Sequence, residues 1–195
     1  MSNTYDSDDQ KTMLRVASEA INYGRINHKP PSINLSQYAE IFRETRATFV
    51  TLEINNQLRG CIGSLMGYRP LLNDIASNAF VAAFKDPRFS PVTTEEIKEL
   101  EIHISILSPA EDMSFDSEHS LIEQLRPNID GLIIMDKEKR ATFLPSVWES
   151  SPNPALFLSE LKQKAGFNQN YWSKTFSAQR YTTFSFGQNS LWTIL

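Results

Sequence analysis

The spacing of apolar residues predicts a helix followed by a β-hairpin in the first third of the chain. Over residues 12–24 the apolar positions recur with helical spacing, which is typical of a helix with one buried face. Residues 48–54 are rich in β-branched and aromatic side chains, which predicts a strand. Asn55 and Asn56 have turn chemistry, and residues 58–65 continue as the second strand of the hairpin.

Strands and helices are mixed through the rest of the chain. Pro70 and the Asn153-Pro154 pair are typical of helix starts. Apolar runs predict further strands at residues 102–106, 131–135, 141–144 and 181–186, with 191–195 as an edge strand. Because these elements do not follow a regular β-α-β alternation, we expect an α+β fold and not a parallel doubly wound sheet.

Length and composition predict one domain that follows a short tail. Residues 1–10 are acidic and nearly free of aliphatic residues, which predicts a disordered tail. The remaining residues, 11–195, fit a single domain, or one large lobe with a small lobe attached. At 41% hydrophobic content, a chain of this length can bury a core without disulfides.

Charge and hydropathy argue against several classes of protein. The chain has 19 Lys and Arg residues against 23 Asp and Glu residues, so it lacks an overall basic footprint for nucleic acid, although a local basic patch stays open. Its longest uninterrupted apolar run, residues 79–84, is far shorter than the roughly 20 residues of a membrane-spanning helix. The acidic N-terminus does not resemble a signal peptide, and a single cysteine cannot form an intrachain disulfide. We therefore expect a cytoplasmic protein without a membrane segment.

The residues that most often bind metals are too widely spaced to predict a metal site. His28, Cys61, His103 and His119 form no C-x-x-C or H-x-x-x-H pattern, so we predict no metal, while a site built from distant carboxylates and one histidine stays open. His103 alternates with isoleucines and lies on the opposite face of its predicted strand. Whether that face meets solvent, a second layer or a cleft is open, and the sequence leaves any cofactor unknown.

The second strand of the hairpin contains an unusual cluster, Leu58-Arg59-Gly60-Cys61-Ile62-Gly63-Ser64. Strand alternation predicts that Arg59 and Cys61 share a face, about 6.5–7 Å apart. A guanidinium there favours the thiolate and lowers the pKa of the cysteine, as a nucleophile requires. The alternative is that Cys61 is a small buried apolar residue and that Arg59 pairs with a carboxylate.

Gly60 and Gly63 are unusual in a strand because they offer no side chain to pack. Two glycines so close together indicate a β-bulge, or the close approach of another backbone segment or of a ligand. Both are therefore candidate ligand-binding residues.

The segment of residues 85–91 is a second candidate for a functional role. Its two prolines forbid regular structure and restrict Asp86 and Arg88, so that little entropy is lost when a ligand binds. With Arg59 and Arg69, Arg88 offers rigid donors to a phosphate or carboxylate. The alternative is that Asp86 forms a helix-end turn and that Arg88 makes a surface ion pair.

Several separated motifs carry a resemblance to a known family. They are, in order, Phe49-Val50-Thr51-Leu52 with the cysteine cluster, Asp86-Pro87-Arg88-Phe89, Ile104-Ser105-Ile106-Leu107-Ser108, Asp130-Gly131-Leu132, Phe143-Leu144-Pro145 with Val147, and Phe157-Leu158 through Lys164-Ala165-Gly166 to Trp172. Over residues 12–186 the chain resembles the AMMECR domain family, whose prokaryotic members are called AmmeMemoRadiSam system protein A. Ser90 and Ser146 depart from the pattern, since the family often has proline and glutamine there.

The resemblance implies a two-lobed α+β fold, with a larger lobe built from both chain ends and a smaller lobe inserted in it. It also implies that the motif residues face a cleft between the lobes. Members of the family are encoded or fused with a Memo-type protein, which resembles non-haem dioxygenases, and with a radical S-adenosylmethionine enzyme. These two proteins are therefore the implied partners, in one step of a shared modification pathway.

The first hypothesis is an enzyme, or an enzyme subunit, of that pathway. Cys61 would act as nucleophile or covalent carrier, and Arg59 would stabilise its thiolate. Arg88 would hold an anionic substrate group, and Asp86 would position Arg88 or accept a proton.

The second hypothesis is a non-catalytic module that binds a nucleotide, RNA or modified substrate. Its pocket would be formed by Arg59, Gly60, Gly63 and Arg88, and Cys61 would only pack beneath it. The third is a scaffold that contacts the Memo-type and radical enzymes. The sequence thus leaves open whether the protein is an enzyme.

Overall fold

Residues 5–188 are described by the structure, a computed structural model, and they divide into two units. The larger unit contains residues 5–106 together with 184–188, and the smaller unit contains residues 107–183. The larger unit is therefore built from both ends of the described chain, and the smaller unit is inserted in it. Helices and antiparallel strands occur in both, which confirms the predicted two-lobed α+β fold.

The bounds of the helices and strands follow in chain order: α1 (Ser7–Asn27), β1 (Ala47–Ile54), β2 (Gln57–Gly63), α2 (Leu71–Phe84), α3 (Thr94–Ile97), β3 (Glu101–Leu107), β4 (Glu111–Asp112), α4 (Glu118–Gln124), β5 (Gly131–Asp136), β6 (Lys139–Phe143), α5 (Pro154–Lys164), β7 (Ser177–Tyr181) and β8 (Thr183–Gln188). The hairpin and the helix that follows Pro70 lie where the sequence predicts them. Within residues 5–188, no helix combines the length and the apolar character that crossing a bilayer requires.

The larger unit contains a four-stranded sheet in the order β2-β1-β3-β8. Helix α2 packs against β1, β2 and α1. Val50 and Leu52 of β1 and Ile102 and Ile104 of β3 point into this core and are fully or almost fully buried. Because side chains alternate along a strand, the intervening residues lie on the outer face of the sheet, among them Thr51, Glu53 and His103.

The smaller unit contains a second four-stranded sheet in the order β4-β7-β5-β6. Strand β5 lies between β7 and β6, and Leu132, Ile133 and Ile134 have no exposed surface, as expected for an interior strand. The core of this unit includes Trp148, whose ring stacks on Phe157 with centroids 3.8 Å apart.

The expected disordered tail is wrong for the part of it that the structure describes. Helix α1 already begins at Ser7, and the Asp6 carboxylate caps it by accepting hydrogen bonds from the backbone N–H groups of Asp8 and Asp9. Asp8 and Asp9 also place negative charge beside the positive end of the helix dipole. Tyr5 is buried against Phe184. The acidic run is therefore a helix start; residues 1–4 lie outside the described residues.

The predicted strand 181–186 is also corrected, because it is divided between two sheets. Strand β7 ends at Tyr181 and β8 begins at Thr183. Between them, Thr182 accepts a hydrogen bond from the Ser108 backbone N–H and donates its own N–H to the Ser108 hydroxyl. These bonds take Thr182 out of the regular ladder, so one run of strand-forming residues serves both units. The predicted edge strand 191–195 lies outside the described residues.

Candidate functional site on strand β2

The hairpin that carries Cys61 has a tight turn and an extra residue. Asn55 and Asn56 both have positive φ angles, of 53° and 59°, as a two-residue type I′ turn requires. Leu52 pairs with Gly60 while the next residue of β1 pairs with Leu58, which leaves Arg59 as one additional residue in β2. This is the β-bulge that the glycines indicated.

The bulge decides which residue lies opposite the cysteine. Counted back from the turn without an extra residue, Thr51 would pair with Gly60; with the extra residue it pairs with Cys61. The Thr51 hydroxyl donates a hydrogen bond to the Cys61 Sγ atom over 3.2 Å, on the outer face of the sheet. Cys61 is partly exposed as a residue, so it is not sealed in the core.

Strand β2 lies at the edge of its sheet, and the segment of residues 85–91 covers that edge. The backbone N–H of Cys61 donates to the Asp86 Oδ2 atom at 2.9 Å, and the Cys61 carbonyl accepts from the Arg88 Nη2 atom at 2.9 Å. Both backbone groups of the cysteine are therefore satisfied by one short loop. An uncovered edge strand would expose them for pairing with another chain.

Asp86 binds Arg88 with both carboxylate oxygens. The Arg88 Nε atom donates to Oδ1 at 3.0 Å, and Nη2 donates to Oδ2 at 2.7 Å. The guanidinium, helped by the backbone N–H groups of Cys61 and Arg88, outweighs burial and holds the pKa of Asp86 well below its usual range. Such a carboxylate is a weak proton acceptor. Of the two roles considered for Asp86, the geometry favours positioning Arg88.

Arg88 is the cation that lies beside the cysteine. Its pKa is raised chiefly by the hydrogen bond to Asp86, and to a smaller extent by the Cys61 side chain. The Arg88 side chain is 52% exposed, whereas the Asp86 side chain is 1% exposed. A buried carboxylate therefore binds the guanidinium, and part of the Arg88 side chain stays in contact with solvent.

Arg59, which we expected beside the thiol, is instead committed to a carboxylate. Its Nε and Nη2 atoms donate to the two oxygens of Glu96 at 2.7 and 3.0 Å. Glu96 also closes a capping box by accepting the backbone N–H of Thr93 at 2.8 Å. The pKa of Glu96 is lowered to about 2, and the hydrogen bond from Arg59 is the largest cause of this shift. The alternative in which Arg59 pairs with a carboxylate is thus correct, and Arg59 is corrected from a thiolate-stabilising residue to one that fastens β2 to α3.

Phe89 lies next to both arginines. The Cζ atoms of Arg59 and Arg88 are 5.8 and 5.5 Å from the centre of its ring. Both distances are within the range of cation–π attraction. The Phe89 ring, which belongs to the segment of residues 85–91, therefore contacts both guanidinium groups.

The two glycines have protein atoms where a side chain would be. A Cβ atom on Gly60 would lie 2.3 Å from the Ala82 carbonyl oxygen of α2. A Cβ atom on Gly63 would lie 2.4 Å from both the Phe49 ring and the Thr48 carbonyl oxygen. Close packing of the hairpin against α2 and against itself explains both glycines without a ligand. Their ligand-binding role stays a prediction.

Two residues of this site were missing from the sequence-based set. Thr51 belongs to a motif of the hairpin, but its place opposite Cys61 depends on the bulge. Glu96 is recognisable from sequence only as the last residue of a capping box. Its bond to Arg59 joins residues 37 positions apart, which no local pattern reports.

The fold and site define a class: a two-unit α+β protein with a partly exposed cysteine on a sheet edge that an Asp-Pro-Arg-Phe segment covers. A family model described as AMMECR1 matches residues 14–186. The chain belongs to the AMMECR1 family.

Similar proteins occur in archaea and bacteria. A protein of Methanothermobacter thermautotrophicus is 34% identical over 167 residues, covering 82% of this chain and 83% of the relative. One from Thermotoga maritima is 32% identical over 174 residues, covering 88% and 92%. The crystal structure of the uncharacterized protein PH0010 from Pyrococcus horikoshii is similar with a TM-score of 0.82 at 27% identity, covering 92% of this chain and 91% of that one.

Proposed function

We propose that this protein is an enzyme, or a subunit of one, that uses Cys61 as nucleophile or covalent carrier. Following the family resemblance, it would act in the cytoplasm with a Memo-type protein and a radical S-adenosylmethionine enzyme in a modification pathway. The observation that carries the proposal is the pair of bonds from Asp86 and Arg88 to the backbone of Cys61, which fixes a half-exposed guanidinium beside a partly exposed cysteine.

Two groups are placed to act on the Cys61 side chain. Thr51 donates a hydrogen bond to the sulfur, and Arg88 contributes a positive charge. Among residues 5–188, no histidine takes part in a described hydrogen bond to Cys61, so the proposal assigns no histidine as a base. The exposed part of Arg88 is placed to bind a phosphate or carboxylate of the substrate.

The rate of Cys61 alkylation by iodoacetamide at one fixed pH tests this proposal. We expect the folded protein to react faster than free cysteine under the same conditions. Arg88→Gln should slow the reaction, whereas Arg59→Gln, which also removes a guanidinium but one bound to Glu96, should leave the rate unchanged. A thiol that reacts no faster than free cysteine, or that does not react while the protein is folded, would count against nucleophilic catalysis.

A non-catalytic binding module is the second candidate. It is favoured by the state of Asp86, whose carboxylate is saturated with donors and offers no proton acceptor. In this case Arg88 would present an anionic ligand, such as a nucleotide or RNA, to the partner enzymes. Cys61→Ser should then keep the binding of ATP or of a short single-stranded RNA, while Arg88→Ala should lose it. Loss of binding in Cys61→Ser together with retained binding in Arg88→Ala would reject this candidate. If neither the Memo-type protein nor the radical enzyme repeatedly copurified with this protein, the third hypothesis, a scaffold for those two enzymes, would be rejected.

A further inference from the structure

A cluster of potential metal ligands lies on the outer face of the larger unit's sheet. It consists of Glu53 on β1 and of Glu101 and His103 on β3. One ligand atom from each side chain lies within 4.8 Å of the others. All three residues are partly buried; the His103 side chain is 41% exposed and the Glu53 side chain 30% exposed.

The imidazole of His103 has one nitrogen without a hydrogen-bond partner. Its Nε2 atom has almost no exposed surface and takes part in no hydrogen bond among the described residues. The Glu53 Oε2 atom is 3.6 Å from Nε2, which is within ion-pair distance but too long for a hydrogen bond. A buried nitrogen without a partner is costly, so its presence beside two carboxylates points to a bound group that completes the arrangement.

The position of the imidazole depends on a glycine of the neighbouring strand. A Cβ atom on Gly187 of β8 would lie 2.2 Å from His103 Nδ1 and 2.8 Å from its Cε1 atom. The ring therefore lies directly against the backbone of β8, in space that any larger residue would fill. The Nδ1 atom lies against Gly187, and the other ring nitrogen, Nε2, lies on the side of Glu53.

We propose that Glu53, Glu101 and His103 bind a divalent first-row transition-metal ion such as Zn²⁺. Two carboxylates and one imidazole are a ligand set for zinc, and three protein ligands leave one position for water or substrate. Metal–ligand bonds of about 2.0–2.1 Å place tetrahedral ligands about 3.3 Å apart. The 3.6 Å between His103 and Glu53 is close to that separation, and the remaining ligand needs only a side-chain adjustment. The imidazole favours a transition metal over Mg²⁺ or Ca²⁺.

The proposal does not rest on nucleophilic catalysis by Cys61, but the two sites share a surface. Glu53 follows Thr51 by two residues on β1 and lies on the same face, about 6.5–7 Å further along the strand. Thr51 in turn binds the Cys61 sulfur. A thiol is itself a zinc ligand, so the experiment must separate binding by the cluster from binding by Cys61.

Isothermal titration of the metal-stripped full chain with Zn²⁺ tests the site. We expect about one equivalent to bind, and Glu53→Gln or His103→Ala to weaken binding at least about tenfold. His119→Ala is the matched control, because that histidine is 82% exposed and lies next to a single carboxylate; it and Cys61→Ser should bind as the wild type does. Mg²⁺ should not compete at equal concentration.

Three results would overturn the assignment: no binding by the wild type, equal loss in His119→Ala, or loss in Cys61→Ser. Gly187→Ala gives a second test that removes no ligand atom. It should displace the imidazole and weaken Zn²⁺ binding by about 10–100-fold, as loss of ligand orientation does. Unchanged affinity in Gly187→Ala would also contradict the proposal. Circular dichroism of each variant establishes that it is folded.

Discussion

The carboxylate of Asp86 binds the backbone N–H of Cys61 at 2.9 Å, across 25 positions of sequence. The same carboxylate holds Arg88, whose guanidinium returns to the carbonyl of Cys61. One buried anion thus ties together the two motifs that stood out in the sequence. The relationship makes the cysteine part of a rigid edge and gives Arg88, not Arg59, the place beside the thiol.

Asp86→Asn should lower the free energy of unfolding by about 1–3 kcal/mol, because it removes a charge-assisted pair from a side chain that is 1% exposed. Urea denaturation measures the change. Glu19→Gln is a suitable control, since that carboxylate is 45% exposed in its pair with Arg15 within α1 and should change stability by less than about 0.5 kcal/mol. Equal effects of the two substitutions would mean that Asp86 is not an anchor.

The ion pair of Glu96 and Arg59 predicts a loss of stability in acid. The pKa of Glu96 falls from 4.5 to about 2 on folding, so its contribution is fully present above pH 4.5 and is lost as the pH falls towards 2. After allowance for partial solvent screening, we expect on the order of 1–2 kcal/mol. Unfolding of the wild type and of Glu96→Gln at pH 6, 4 and 2.5 measures it. The difference between the two proteins should shrink with falling pH, and a constant difference would contradict the assignment.

Gly60→Ala should destabilise the protein by about 1–3 kcal/mol or more, because the new Cβ atom would lie 2.3 Å from a helix carbonyl oxygen that cannot turn aside. Gly67→Ala is a graded comparison, since its nearest contact would be 2.9 Å. The drop in melting temperature should therefore be larger for Gly60→Ala. If Gly60→Ala melted with the wild type, the close approach of α2 to the hairpin would be wrong.

Thr51→Val should change the rate of Cys61 alkylation at a fixed pH by about 2–10-fold, because it removes the hydroxyl that donates to sulfur while keeping the shape of the side chain. Thr51→Ser keeps the hydroxyl and should react at a rate near that of the wild type. A rate that changes equally in both variants would show that packing, and not the hydrogen bond, controls the thiol.

The sequence by itself determined the local elements and, through them, the fold class. The Asn55-Asn56 turn and the helix after Pro70 were readable because each depends on residues only a few positions apart. Of the alternatives that the two glycines left open, the structure contains a bulge beside Gly60 and a close backbone approach at Gly60. The prediction for the acidic start of α1 was wrong, because composition does not report that Asp6 caps a helix or that Tyr5 is buried.

Only the tertiary structure decided which groups surround Cys61. Arg59 is near the cysteine in sequence but binds Glu96, whereas Arg88 is 27 positions away and binds the Cys61 carbonyl. Electrostatic and hydrogen-bonding partners are set by distance in space, and a one-residue bulge is enough to change which side chains meet across a hairpin. Glu53, Glu101 and His103 meet for the same reason, since adjacent strands bring together residues that the chain separates by almost fifty positions.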